Sequence, residues 1–511
     1  MRMKLTKTTA AAAAAAALLP AFLFASSAWA GKADDTVSIA FAKELEHVDP
    51  YFNTAREGIL LGNAVWDGLL YRDPATGEYV GNLATSWTWV DSTTLELTLR
   101  EGVKFHNGEA FDADDVVFTL NFTVDPKNGA KNKVATGWIK QAEKIDQFKV
   151  RILTNGPFPA ALEYLAGPVI IHPDEYYKAV GPAGVATKPI GTGPYKFETV
   201  EPGKHFVLKR NEGYFAAAKP KAKVGTIDIR TIPDINTQMA ELFNGTIDLV
   251  WQVPSDQADK MTGRDSFQVI NAPTMRVGYL SLDAAGRSGD KNPMTNLKVR
   301  QAIYHAINRD GIVAALMKGT TEVINSACSP SQFGCDKDVA TYAYDPAKAK
   351  ALLAEAGYPD GIEVEFYAYR DRPLAEAMIG MLAEIGIKAN LNYMQYAALR
   401  EKRIKEGAPL SFMTWGSNSI ADVSAITSEF FTMGGEDDAR DKSLSDLLEK
   451  ADSSIDSVER KALYTQALSV IADKAYWVPL WNYSTNYVMS GDISFTPTPD
   501  ELVRFYEIGW K

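Results

Sequence analysis

The chain has 511 residues, 46% hydrophobic and 23% charged, with 37 Gly and 25 Pro. That composition fits a folded globular protein of about two to four domains and excludes a disordered, collagen-like or coiled-coil chain. A net charge of −11 argues against a nucleic-acid backbone or a polybasic membrane anchor, and five His with two Cys are too few for an extensive metal or iron–sulfur protein.

Residues 1–30 have the order of a secretory signal peptide. Arg2, Lys4 and Lys7 are basic, Ala10 to Phe24 is apolar, and Ala28-Trp29-Ala30 is a small-x-small cleavage site. The apolar run is shorter than the ~20 residues a spanning helix needs. Export to the periplasm with cleavage after Ala30 is therefore expected. No Cys near that site offers a lipid anchor.

Thr36 to Ala42 reads as a strand opening the mature fold. Leu95, Leu97 and Leu99 alternate with Glu96, Thr98 and Arg100, the period of a half-buried strand. Phe111 to Val116 starts a helix: Asp112 caps it, Asp115 suits its positive end, and Phe111 staples to Val116. Gly191-Thr192-Gly193 lacks the third glycine of a dinucleotide fingerprint, because Lys196 stands there, and Pro194 follows it directly. It reads as a turn. Apolar spacing predicts one helix from about Asn296 to Leu316, with Val299, Ile303 and Ala306 inward.

Export places Cys328 and Cys335 in an oxidising compartment, and a disulfide closing their turn-rich loop is the main reading. A reactive or metal-binding thiol pair is the alternative, without a C-x-x-C or a nearby His to support it. Asp345 to Pro359 is a complete helix sentence: Asp345 caps, Pro346 fits the first turn, Gly357 stops and Pro359 forbids continuation. A last helix starts near Asp456, with Glu459 at the capping-box position. Strands and helices alternate throughout, the pattern of an α/β protein.

His106 lies in a turn, with no second His within ligand spacing, so a structural hydrogen-bonding role is expected and no metal site. No G-x-x-x-x-G-K-[ST] and no G-x-S-x-G occurs, so neither a phosphate-binding loop nor a nucleophile elbow is present.

Several blocks in order carry a resemblance: Gly81-Asn82-Leu83-Ala84-Thr85-Ser86-Trp87, Gly102 to Gly108, Phe111 to Val117, Ile190 to Tyr195, Leu242 to Asp248, Val299 to Asp310 and Ile385-Gly386-Ile387. With the capped helix from Asp345, this set resembles the family 5 solute-binding proteins of ABC transporters, the dipeptide, oligopeptide and nickel binders. The resemblance covers nearly the whole mature chain. It implies a large, type II periplasmic binding protein fold of two lobes joined by two hinge segments. Lobe I would be 31–275 plus 481–511, with 76–187 as an extra subdomain, and lobe II 276–480. The crossings would lie near Pro273 to Val277 and Val478 to Tyr483. The implied activity is ligand capture in the inter-lobe cleft and delivery to inner-membrane permease subunits with their ATPases. The chain would act as a monomer without a cofactor and without chemistry.

The same resemblance points to site residues. In dipeptide binders, the loop after the Trp equivalent to Trp415 carries an Asp that pairs with the peptide's α-ammonium. Here that position is Asn418, and Asp422 follows four residues later. The amine clamp is thus displaced to Asp422 or absent, and Asp422 also reads as a cap for the helix from Ser424. Arg370 and Arg372 are candidates for a ligand carboxylate, by the two-pronged geometry of Arg, or for plain surface solvation. Asn53 and Arg56 follow the first strand in a loop expected at the cleft, and Trp415 and Trp481 are candidate pocket walls. A peptide or peptide-like ligand is the first expectation. An oligosaccharide, an opine-like conjugate or a metal chelate is the alternative that Asn418 motivates, and a secreted hydrolase the alternative of another class.

Overall fold

A computed structural model describes residues 31–511 apart from Glu46, Thr54 and Lys318. The expected signal segment, 1–30, lies outside the described residues. One mixed sheet of eleven strands runs through the molecule. At one wing, Thr36–Phe41 lies parallel to Thr226–Thr231 and Leu249–Trp251. At the other, Ile362–Ala368 lies parallel to Ile387–Tyr393 and Leu410–Trp415. Two long antiparallel strands, Phe267–Leu282 and Trp477–Ser490, join the wings.

Those two strands pass from one hydrophobic core to another. Ala272 packs in the first core and Leu280 in the second. On the return strand, Trp481 and Tyr483 belong to the second core and Tyr487 to the first. On the return strand the change from the second core to the first therefore falls between Tyr483 and Tyr487. Packing decides this, since Trp481 stands edge-on to Phe412. The outgoing strand is irregular at its changeover, where register slips between Pro273 and Val277. A bulge of this kind bends a strand and redirects its side chains.

A third core runs from Leu69 to Ile171 around the four-stranded sheet of Ala84–Asp91, Thr94–Leu99, Lys149–Thr154 and Ile139–Asp146. Leu95, Leu97 and Leu99 are buried on its inner face, as their alternation predicts. Helix Asp174–Thr187 places Tyr177 and Val185 in the first core.

Most local signals read from the sequence are present. Asp112 and Asp115 form a reciprocal capping box on Ala113–Val124. Asp345 caps Pro346–Glu355 through the Lys348 N–H. The predicted long helix from Asn296 is two helices, Leu297–Ala306 and Arg309–Leu316. Asn308 breaks it by capping the second piece, its Oδ1 taking the Gly311 N–H at 2.8 Å. Glu459 does not complete a capping box with Asp456; its carboxylate accepts the Ser454 hydroxyl at 2.7 Å. Gly191 and Gly193 pack on the end of helix Arg56–Val65, where an added Cβ would stand 2.1 Å and 2.5 Å from the Val65 backbone. Their lack of a side chain thus serves close backbone approach, not a phosphate. His106 is held there by Gly193 O at 3.0 Å, and burial lowers its pKa to about 4.

Candidate ligand-binding cleft

A cleft of about 970 Å³ opens between the first and second cores. Its floor is the crossing pair, which contributes Thr274 and Arg276 from one strand and Tyr483 to Asn486 from the other. One wall carries Arg56, Gln252 to Ser255 and Glu501. The opposite wall carries Tyr369, Arg370, Asp371, Thr414, Trp415 and Asn418. Among the described residues, the charged lining is three arginines, Arg56, Arg276 and Arg370, and two carboxylates, Asp371 and Glu501.

Four of the eight residues expected at the ligand lie here: Arg56, Arg370, Trp415 and Asn418. Arg56 opens helix Arg56–Val65 and turns back to Glu501, with Nη2 3.2 Å from Oε2. Its Nη1 also donates to the Asp500 and Glu501 carbonyls. Arg370 donates from Nε to Asp371 Oδ2 at 2.8 Å and lies over the Tyr483 ring. Burial pushes the Tyr483 hydroxyl's pKa up, so it stays protonated and donates to the same Asp371 oxygen. Trp415 ends its strand with Nε1 bonded to Ala425 O at 2.8 Å, leaving its ring at the cleft. Asn418 sits with Ser417 and Ser419 in three successive left-handed residues, φ 51°, 51° and 63°. Such geometry is costly without glycine and must be imposed by surrounding contacts.

Those contacts are visible. Gln332 donates to Ile420 O and Asp422 O, both at 3.1 Å, and Phe333 pairs with Asp422 by a β-bridge. Both residues lie inside the loop closed by the Cys328–Cys335 disulfide. From the other side, Glu163 of the third core accepts the Ala421 N–H at 2.8 Å, and Ile420 packs into that core.

The other four expected residues are placed elsewhere. Asn53 folds into its own loop: its amide donates to His47 O and Asp49 O and accepts the Ala55 N–H. Arg372 starts a helix on the surface, 60% exposed and paired with Glu376 one turn on. Trp481 has no exposure, because it fills the second core. Asp422 is buried against Arg460, with Nη2 2.8 Å from Oδ1, and also receives the Ser424 N–H. Its helix-starting role is present, and the Arg460 pair leaves it no place at the cleft.

Residues 78–438 match the family described as bacterial extracellular solute-binding proteins, family 5 middle. The chain belongs to that family. The glutathione-binding protein GsiB of Escherichia coli (strain K12) is 29% identical over 479 residues, 90% of each chain. Among solved structures, the ABC transporter-associated periplasmic binding protein DppA from Helicobacter pylori, in complex with peptide STSA, is 25% identical, with a TM-score of 0.74. That match covers 93% of this chain and 98% of DppA. HbpA2 from Haemophilus parasuis aligns with a TM-score of 0.83 at 24% identity, covering 93% of this chain and all of the other.

This family 5 protein therefore has the type II periplasmic binding protein fold. Its relatives are binding proteins of ABC transporters, not enzymes. Proteins of the family deliver ligand to permease and ATPase components. Sequence reasoning missed Arg276. It lies on the crossing strand, away from the family's motif blocks, and only the pairing of that strand with Leu410–Trp415 brings it beside Gly416.

A second, smaller pocket adjoins the cleft through Trp415 and Asn418. Phe158 and Tyr164 line one side of it, and Glu429, Asp452 and Arg460 the other. Burial raises the pKa of both carboxylates. Asp452 is occupied by the Ser428 and Tyr464 hydroxyls.

Proposed function

We propose that this protein is exported to the periplasm, loses residues 1–30, and captures a short peptide or peptide-like solute between two lobes. The observation that carries this is the cleft of about 970 Å³ on the crossing strands, lined by charged and aromatic side chains from both cores. Its size suits a ligand of a few residues, and polar groups on both walls favour a closed state once a ligand bridges them. The glutathione and STSA named for the relatives are both short peptides. We place lobe I at 31–275 plus 481–511, with 76–187 as an extra subdomain, and lobe II at 276–480; the change of core along both crossing strands supports two lobes. The monomeric protein then delivers its ligand to inner-membrane permease subunits with their ATPases, and nucleic acid plays no part.

Specific observations favour a second reading of the ligand. Asn418 is neutral and Asp422 is committed to Arg460. A solute without an α-amine, such as an opine-like conjugate, fits that arrangement as well as a peptide does.

The test is mass spectrometry of ligand released from the purified protein, paired with thermal-shift screening. The screen would hold di- and tripeptides, glutathione, oligosaccharides and metal chelates. A ligand at about 100 times its Kd adds about 2.7 kcal/mol. Co-purifying peptides and a peptide-induced shift support the first reading. A shift from non-peptides alone replaces it.

A further inference from the structure

Among the described residues, Arg276 is the cleft arginine without a carboxylate partner. Arg56 is neutralised by Glu501, and Arg370 by Asp371. Among the described residues, no carboxylate lies within ion-pair distance of Arg276; its side chain donates to the Thr414 hydroxyl at 3.3 Å. Its position is built. The Thr274 hydroxyl accepts the Arg276 N–H at 3.1 Å and donates to Tyr483 O, which fixes the bulge from which the side chain leaves. Gly416 makes room for it: a Cβ there would stand 3.0 Å from Nη2. Thr414 is itself held by the Tyr369 hydroxyl at 2.7 Å.

A guanidinium has five N–H donors in a fixed fork. Here one goes to a neutral hydroxyl, and the cleft that the side chain lines has, among the described residues, only carboxylates that are already engaged. A half-buried cation in that setting gains most from an anion able to accept two parallel hydrogen bonds. A ligand ammonium finds the opposite situation. The charged lining among the described residues sums to one positive charge, and the neutral Asn418 adds no carboxylate. In the adjoining pocket Asp452 is occupied and Glu429 stands 3.9 Å from Arg400.

We propose that Arg276 is the carboxylate clamp of this cleft, and that the site selects a solute with a free carboxylate and no requirement for a free α-ammonium. This rests on the peptide-binding reading above and narrows it to a charge class. Because Arg276 sits on a strand shared by both lobes, it holds the ligand carboxylate at the axis about which they close. The two walls are left to read the remainder of the ligand.

The test uses glutathione and Met-Leu, each free, N-acetylated and C-terminally amidated, titrated calorimetrically into the full mature protein. The free and N-acetylated forms are expected to bind within about threefold of each other, and the amides at least about tenfold more weakly. Arg276→Gln is expected to erase the difference between free acid and amide, and Arg276→Lys to keep part of it. That acid-to-amide ratio is a readout that mere loss of packing does not move. Two results overturn the proposal: acetylation costing as much as amidation, or Arg276→Gln preserving the ratio. If neither free peptide binds the wild type, the peptide reading itself fails, and this inference with it. A Glu429→Gln variant that alone abolishes binding of free amines would place an amine clamp in the adjoining pocket and likewise overturn it.

Discussion

The Asp422 carboxylate faces the Arg460 guanidinium squarely, Oδ1 lying 2.8 Å from Nη2 and Oδ2 2.5 Å from Nη1, with both side chains buried. Tyr464 adds its hydroxyl to the same guanidinium. The pair fixes the base of the loop that presents Trp415 and Asn418.

Asp422→Asn therefore acts on stability before binding. Removing one partner leaves a buried, unpaired Arg460, which costs about 3–5 kcal/mol. Urea unfolding should show that loss. In the protein that stays folded, the ratio of affinities for free and N-acetylated glutathione should be unchanged. Collapse of that ratio at undiminished stability would instead make Asp422 an amine ligand.

The disulfide should matter for ligand as well as for fold. Opening the Cys328–Cys335 loop releases about 2–3 kcal/mol of chain-entropy stabilisation. The same loop grips Ile420 and Asp422 through Gln332 and Phe333. The double Cys328→Ser, Cys335→Ser variant is expected to unfold at lower urea and to bind peptide several-fold more weakly. Unchanged affinity would show that the loop after Trp415 holds its shape without this brace.

Asn418→Asp introduces a carboxylate where the resemblance to dipeptide binders implies one. The expected outcome is a preference of about two- to fivefold for free over N-acetylated peptide, the range for a partly exposed ion pair. Calorimetry on the two forms decides it. No change would mean that the ligand's amino end does not approach Asn418.

Glu163 joins the third core to the loop after Trp415, accepting the Ala421 N–H on one oxygen and the Tyr79 hydroxyl on the other. Glu163→Ala removes that link and should favour the open arrangement. Small-angle scattering of ligand-free protein should give a larger radius of gyration than the wild type, and ligand affinity should fall about five- to tenfold. Equal radii would mean that the contact does not bias closure.

Burial raises the Asp248 carboxyl to about pH 6, while it accepts the Ser38 N–H at 2.8 Å. Between about pH 4 and pH 6 the folded state binds more protons here than the unfolded state. The contribution of this group to stability is thus full at low pH and falls as pH rises towards 6. The stability of Asp248→Asn relative to wild type should climb across that window and level off above it. Urea midpoints for both proteins from pH 4 to pH 8 check the sign.

Helix starts were legible wherever their chemistry is local. The Asp112 capping box and the Asp345 cap join residues three apart or fewer, so a short stretch of sequence contains the whole interaction. The helix from Asn296 was misjudged because apolar spacing continues through Asn308, whose competing cap is visible only once its side chain turns to Gly311. Trp481, a candidate pocket wall in the sequence, is buried in the second core for a different reason. A tryptophan in a strand has the same sequence signature whether it faces a cleft or, as here, Phe412 in a core.

The sequence by itself determined the α/β class, the family blocks and the disulfide between neighbouring cysteines, because these follow from periodicity, motif order and short spacing. Tertiary structure alone decided which charges are free for a ligand. Asp422 is silenced by Arg460, 38 residues away, and Arg56 by Glu501, 445 residues away. Arg276 stays open because no carboxylate among the described residues comes within reach once the two crossing strands pair. Neutralisation depends on distance in space, and in this fold that distance is set by pairing between strands far apart in the sequence, such as Gly278 with Trp481.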